Sequence, residues 1–362
     1  MELKKQNILF LTRSMALGGT ENVILQLCEI LKPEVNKIVV ASNGGINEEK
    51  LKDMNISHIK ITDIEDKNPI NIIKNLKILK TLIKKENITI IHSHHRMAAM
   101  YALLLGNKKI IKLANAHNTF HDKKLLTKLA YHNTKVIAVG NQVKKNLTEY
   151  YQLKEEQVHV IPNAIKPFNQ KIKIDKDLVK AKKEGHILIG NIGRLSEQKG
   201  MEYFIEAASI VNKERPQARF YIVGSGEDEN KLKQLSKDLL PKNILTFMGY
   251  RSDIQNLMSQ MDFIVLSSLW EGLPLTPIEA FSVGKTIVAT AVDGTIEIVE
   301  NEKNGLLVNA RDSKELAKAI IKLIDNEKDR IKYEKNAVIT YNKKFSFEIL
   351  RKNYLDYYKK SI

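Results

Sequence analysis

Two carboxylates and two cations carry the chemistry this sequence offers. Glu271 and Glu279 lie in the stretch from Asp262 to Glu300, DFIVLSSLWEGLPLTPIEAFSVGKTIVATAVDGTIEIVE, with seven residues between them. Upstream, NIGRLSEQKG (191–200) holds Arg194 and Lys199 on one glycine-flanked loop. An arginine fork and a lysine point charge so placed suit a diphosphate. A carboxylate before Gly272 in a Gly/Pro loop suits sugar hydroxyls or developing positive charge. Glu279 has a second reading, because Thr276-Pro277-Ile278-Glu279 fits a capping box with proline at the first helical position. No capping pattern accounts for Glu271.

The histidines form a second set. IIHSHHR (90–96) places His92, His94 and His95 at a strand's C-terminal end. Alternation sends His92 and His94 one way and His95 the other. No nearby Cys or carboxylate completes a metal set, so His92 and His94 are expected to line a cleft rather than hold an ion. His117 follows the strand 109–114 and falls at the sheet's ligand-binding edge, its alternative being an ordinary loop histidine. LGGTE (17–21) joins the first strand to the first helix, where adjacent glycines admit a phosphate or sugar to backbone amides. The alternative there is a tight turn before a helix capped by Thr20. IVGSGEDENKLK (222–233) has only G-x-G followed by acids, a poor dinucleotide fingerprint. It is expected as a strand–turn–helix with a ligand-facing glycine pair.

Positioning these groups takes strands whose ends converge. Strand candidates at 7–12, 37–42, 58–62, 88–92, 109–114, 135–139 and 158–161 alternate with helical patterns at 20–31, 70–85, 97–105, 124–132 and 142–150. The rhythm stops over 163–185, which reads as a linker with a short helix near its end. It resumes with strands at 186–192, 219–223, 243–247, 262–268, 286–290 and 305–308, interleaved with helices at 201–212, 230–239, 253–260, one near 276, and 313–327. A last helical segment covers 345–360. Alternating strands and helices predict parallel sheets covered on both faces. The expected division is 1–165, a linker 166–185, 186–340, and 341–362 as a closing helix.

Composition sets outer limits. A chain of 362 residues is too long for one core and comfortable for two. No apolar run approaches a membrane span, and the apolar core of MELKKQNILFLTRSM is too short for a signal peptide. The single cysteine, Cys28, excludes an intramolecular disulfide and points to a reducing compartment, hence the cytoplasm. The net charge of +16 is uneven: residues 1–180 hold 30 Lys+Arg against 17 Asp+Glu, the rest 28 against 25. A basic first half implies an anionic partner, either a diphosphate-bearing substrate or an anionic membrane surface. Sparse aromatics argue against nucleic acid.

Taken together, GGTE (18–21), HSHH (92–95), VIPNAI (160–165), GRLSEQKG (193–200), VGSGE (223–227), EGLPLTPIE (271–279) and NGLLV (304–308) resemble the retaining glycosyltransferases of family GT4. The resemblance implies a GT-B fold, two Rossmann-like doubly wound α/β domains facing across a cleft, with the last helix crossing back to the first domain. It implies that Arg194 and Lys199 hold the diphosphate of a nucleotide-sugar, Glu279 the ribose hydroxyls, and Glu271 with Gly272, Leu273 and Leu275 the donor sugar. Tyr250 and Arg251 would border the base, Gly19 would approach the phosphates, and His117 would stand beside the reacting sugar. His92 and His94 would face the acceptor, a glycan or lipid-linked glycan. UDP is the nucleotide the family implies. No D-x-D pair suited to a metal bridge is read in the chain, so the cations are expected to replace a divalent ion, with no cofactor. The sequence departs from the family's common pattern at Ala164, Ser267-Ser268, Asp293 and Ile296, which leaves the sugar's identity open. Two alternatives stay open: a non-catalytic GT-B-like partner of another transferase, and a sugar-nucleotide epimerase on the same architecture. The helix at 70–85 carries apolar positions 72, 73, 76, 79 and 83 with lysines at 74, 77, 80, 84 and 85. That lysine face, with 121–135, is the candidate surface for an anionic bilayer.

Overall fold

Runs such as NILFL (7–11) and FIVL (263–266) are apolar and buried at every position, as parallel strands covered on both faces must be. The computed structural model describes residues 2–362. Its strands make two sheets, parallel throughout. The first joins β1 (Asn7–Leu11), β2 (Lys37–Ser42), β3 (Ser57–Lys60), β4 (Ile90–Ser93), β5 (Ile111–Ala116), β6 (Lys135–Ala138) and β7 (Val158–Val160) in the order β3-β2-β1-β4-β5-β6-β7. The second joins β8 (Ile187–Ile192), β9 (Ala218–Val223), β10 (Leu245–Phe247), β11 (Phe263–Leu266), β12 (Ile287–Thr290) and β13 (Gly305–Val308) in the order β10-β9-β8-β11-β12-β13. In both, the order reverses beside the first strand, between β1 and β4 and between β8 and β11. Doubly wound sheets bind ligands outside the carboxyl ends of strands at such a reversal.

The chain divides into two compact units, one of Met1–Asn163 with Leu350–Ile362, the other of Ala164–Ile349. The first sheet carries α1 (Gly19–Leu31), α2 (Glu48–Asp53), α3 (Pro69–Lys85), α4 (Arg96–Leu104), α5 (Lys124–Ala130) and α6 (Asn141–Lys145), the last running on into a π-helical turn at Asn146–Tyr150. The second unit has α7 (Lys176–Lys183), α8 (Met201–Glu214), α9 (Glu229–Leu239), α10 (Ile254–Gln260), α11 (Leu275–Ser282), α12 (Thr295–Ile298), α13 (Ser313–Asp325) and α14 (Glu327–Thr340). The final helix, α15, spans Phe347–Ser361. Among the described residues no helix is long and apolar enough to cross a membrane.

Three local features go beyond the sequence reading. In α3 the buried residues are Asn75, Leu79 and Leu82, while Ile73 is exposed. Asn75 is inside because its side chain completes the β3–α3 connection, accepting from the Thr62 N–H at 3.0 Å and donating to the Thr62 carbonyl at 3.1 Å. The segment read as a linker is fastened to the second unit. Asn256 pins Lys173 by both backbone groups, at 2.8 and 2.9 Å, and α7 buries Leu178. Helix α14, which periodicity did not signal, has the sequence EKDRIKYEKNAVIT and buries only Tyr333, Ala337 and Thr340.

Candidate active site

The reversal in the second sheet sets two strand exits side by side. β8 runs out through Gly193–Lys199, and β11 through Ser267–Glu271. Lys199 and Glu271 meet there, Nζ to Oε1 at 2.5 Å, with side chains only 17% and 6% exposed. Ser268 Oγ donates to the same carboxylate oxygen at 2.6 Å, and the Glu271 backbone N–H donates to Asp293 Oδ2 at 3.3 Å. The two exits are stitched together by Ser267, whose Oγ donates to the Lys199 carbonyl and accepts from Asn191 Nδ2, both at 2.9 Å. Gln198 adds a bond from Nε2 to the Trp270 carbonyl at 3.0 Å. The result is a fixed, nearly dry cation–carboxylate pair at the sheet's ligand edge.

Arg194 stands in solvent, its Nε and Nη2 at 3.2 and 3.1 Å from Glu227 Oε2. Both cations of the GRLSEQKG loop therefore rest on carboxylates. An anionic ligand has to share or displace those partners.

The glycines of VGSGE let their own turn pack closely on the backbone of that loop. Gly224 has φ of +148°, and a Cβ there would lie 1.9 Å from the Gly193 carbonyl oxygen. One at Gly226 would lie 2.2 Å from the Leu195 oxygen. Between them the Gly193 and Leu195 N–H groups donate to the Val223 and Ser225 carbonyls at 3.0 Å. Gly294 plays a similar part for the EGLP loop, because a Cβ there would meet the Gly272 oxygen at 1.8 Å. Gly272 and Leu273 are buried beneath it, and Leu275 is half-buried.

Helix α11 opens at Leu275 with Pro274 in the cap position and no side-chain cap. Thr276 Oγ1 donates instead to the Ile192 carbonyl at 3.3 Å. The capping-box reading of Glu279 is thereby overturned, since Glu279 is the fifth helical residue and lies beyond the first turn. Burial pushes its carboxyl up to about 7, against the pull of the Lys199 charge. Tyr250 is exposed. Arg251 is committed to Asp253 at 2.9 Å and to Asp175 at 3.2 Å. Asp175-Lys176-Asp177 is a D-x-D spelling after all, and Asp175 is used as the cap of α7, accepting from the Asp177 and Leu178 N–H groups, and as a partner of Arg251.

In the first unit, Gly19 is exposed as the first residue of α1, and the cap residue is Gly18. Thr20 lies inside the helix and does not cap it. His92 is completely buried. Its Nε2 donates to Asn115 Oδ1 at 2.7 Å, and its Nδ1 accepts from the Tyr358 hydroxyl at 2.6 Å. Asn115 in turn donates to the Tyr354 hydroxyl at 2.7 Å. Burial lowers the His92 pKa to about 3. His92 thus fastens α15 to the first sheet, and the expectation that it faces an acceptor is corrected. His94 is buried too, stacked on His117 with Nδ1 3.3 Å from His117 Nε2, and its own Nε2 has no partner. His117 is half-buried, and burial, with His95 nearby, lowers it to about 4, so it is neutral at physiological pH. His95 caps α4 by accepting from the Met97 N–H at 3.2 Å.

Ser267, Ser268, Asp293, Glu227 and Gln198 join these contacts without any local motif that assigns them a role. Strand exits on a predicted reversal were the one signal that could have gathered them.

Comparison with known proteins fits this geometry. Residues 172–339 match the family model described as glycosyl transferases group 1, and residues 17–167 match glycosyltransferase family 4. The chain is 29% identical over 332 residues, 86% of each chain, to an Escherichia coli UDP-Gal:alpha-D-GlcNAc-diphosphoundecaprenol alpha-1,3-galactosyltransferase. It is 35% identical over 146 residues to a Campylobacter jejuni N,N'-diacetylbacillosaminyl-diphospho-undecaprenol alpha-1,3-N-acetylgalactosaminyltransferase, 40% of this chain and 38% of that one. Its fold matches Anabaena HepE, solved in complex with UDP-glucose, with a TM-score of 0.85, 21% identity and coverage of 98% and 99%. The two family models between them span most of the sequence, and the chain belongs to the GT4-type glycosyltransferases with two Rossmann-like domains of the GT-B class.

Proposed function

We propose that this glycosyltransferase moves a sugar from a UDP-sugar to a lipid-linked glycan, with retention of anomeric configuration and without a metal ion. The observation that carries the proposal is the buried Lys199–Glu271 pair at the order reversal of the second sheet, with Glu279 within reach of the same lysine's charge. Breaking a sugar–diphosphate bond builds negative charge on the departing diphosphate and positive character on the sugar. Lys199 and Arg194 stabilise the first, helped by the N-terminus of α11. Glu271, freed from Lys199 as the diphosphate takes that cation, faces the second with Gly272, Leu273 and Leu275. Glu279, with its raised pKa, exchanges hydrogen bonds with paired ribose hydroxyls. Tyr250 borders the base, with Arg251 as its anchored neighbour. From the first unit the reading takes Gly19 for the phosphates, His117 as a neutral hydrogen-bonding group for the sugar, and His94 as its support.

The acceptor class is argued from two relatives whose names specify diphosphoundecaprenol-linked acceptors, and from the positive charge of the first half of the chain. Work at the cytoplasmic face of an anionic membrane follows from the same reading. Melting curves with UDP and a panel of UDP-sugars test the donor, because a bound ligand raises stability by mass action. Proton NMR of the product tests retention. Stabilisation by no uridine nucleotide, or an inverted product, contradicts the proposal. Donor turnover to an epimer without acceptor would favour the epimerase alternative, and absence of all turnover the non-catalytic one.

A further inference from the structure

The first unit holds an apolar cavity that donor chemistry leaves unused. It measures about 560 Å³ and lies among α3, α4 and the start of α5, walled by Ile72, Met97, Met100, Leu104 and Leu126. That is the size of a small-molecule site. Among the described residues of the first unit eight large apolar side chains are exposed, and five of them, Ile70, Ile73, Leu104, Leu125 and Leu129, belong to these three helices. Leu125 is 84% exposed and Ile70 74%. Positive groups outnumber acids in the lining, with Lys67, Arg96 and Lys123 against Glu65 and Asp66. The two acids of the lining are already committed, Glu65 to Arg13 and His95, Asp66 to the Asn68 N–H and Asn71. Arg96, also in the lining, pairs with Asp122 at 2.8 Å, and its buried Nε has no partner.

We propose that this cavity takes the hydrocarbon chain of the lipid carrier bearing the acceptor, with the carrier's diphosphate held by the lysines around its mouth. The inference rests on the lipid-linked acceptor of the proposed function and adds the place where the lipid binds. Apolar walls exclude a free sugar or nucleotide, and the surrounding lysines call for an anion, so the occupant is an amphiphile with an anionic head. A second copy of the chain fits worse, because a two-fold interface would set one lysine-rich face against another. Methionine walls suit a flexible chain, since their side chains adjust to irregular shapes.

The full chain, saturated with UDP so that the donor site is filled, is titrated calorimetrically with farnesyl diphosphate and with inorganic pyrophosphate. Burial of even two methylenes is worth about tenfold in affinity, so farnesyl diphosphate should bind at least tenfold tighter than pyrophosphate. Met100→Trp, which fills the cavity, and Leu104→Asp, which charges its exposed mouth, should each erase that difference. Both should keep the wild-type melting shift with UDP, which verifies their folding. Equal affinity for the two probes, or variants that bind farnesyl diphosphate as wild type does, overturns the proposal. So does a concentration-dependent dimer that Leu104→Asp dissolves, which would assign the face to a second copy. If uridine nucleotides fail to stabilise the wild type while the chain-dependent binding holds, the donor reading falls and the cavity assignment stands.

Discussion

Replacing Lys199 with alanine removes two things at once, and the structure allows them to be separated. The first is a charge that stabilises the leaving diphosphate. Loss of one preorganised donor of this kind costs about 2–4 kcal/mol in the transition state, which is a fall of roughly 30- to 900-fold in turnover. The second is the partner of a carboxylate that is only 6% exposed. Breaking a buried pair by removing one member costs about 3–5 kcal/mol of stability. The lower end applies, because Ser268 still donates to Glu271 at 2.6 Å and the lysine was partly solvated. For a unit of this size that is a drop of about 6–12 °C in melting temperature. Glu271→Gln added to Lys199→Ala discharges the orphaned carboxylate. The double variant should recover most of the lost melting temperature and none of the lost turnover. Calorimetry and a UDP-release assay on the wild type, Lys199→Ala and the double variant decide the matter. Near-normal turnover in Lys199→Ala, or turnover that returns with stability in the double variant, would refute the reasoning.

Other expectations follow from single observations. Glu279 is held near 7 in the folded protein against an ordinary value of 4.5, so the native state binds more protons than the unfolded chain between those values. Stability contributed by the neutral acid is complete below about pH 4.5 and is lost as pH rises through 7, on the order of 3 kcal/mol in all. Glu279→Gln should therefore gain on wild type in melting temperature across that window, and a pH-independent difference would contradict the shift. His92→Phe orphans the Tyr358 hydroxyl and the Asn115 carboxamide inside the first unit and should cost about 1–3 kcal/mol for each group in urea denaturation. An unchanged midpoint would mean that this network does not hold α15. Gly224→Ala drives a methyl into the Gly193 carbonyl and strains a φ of +148°. It should weaken UDP binding by tenfold or more although Gly224 touches no assigned ligand group, and wild-type affinity would show that the GRL loop needs no such support.

The sheet architecture was legible because parallel strands buried on both faces spell themselves as apolar runs, and the reversal of strand order then singles out the loops after β8 and β11. Lys199 and Glu271 were legible by residue type and loop position. Their pairing was not, because a salt bridge across 72 residues leaves no local trace. Alternation grouped His92 with His94 on one side of β4 but said nothing of what covers His92, which is a pair of tyrosines from the far end of the chain. Pattern matching failed at Thr276 and Thr20 for a related reason, since each lies inside its helix rather than before it. In α3 a buried asparagine took the place of an apolar residue because the Thr62 backbone needed its hydrogen bonds. Helix α14 lacks an apolar stripe, so periodicity had nothing to detect.

The claim that donor chemistry centres on the strand exits of the second sheet is tested most directly by calorimetric titration of UDP into the wild type, Arg194→Ala and Lys199→Ala/Glu271→Gln. The account predicts saturable binding to the wild type, a loss of tenfold or more in the double variant, and a smaller, salt-sensitive loss for the solvent-exposed Arg194. UDP that binds all three proteins equally, or none of them, would contradict it.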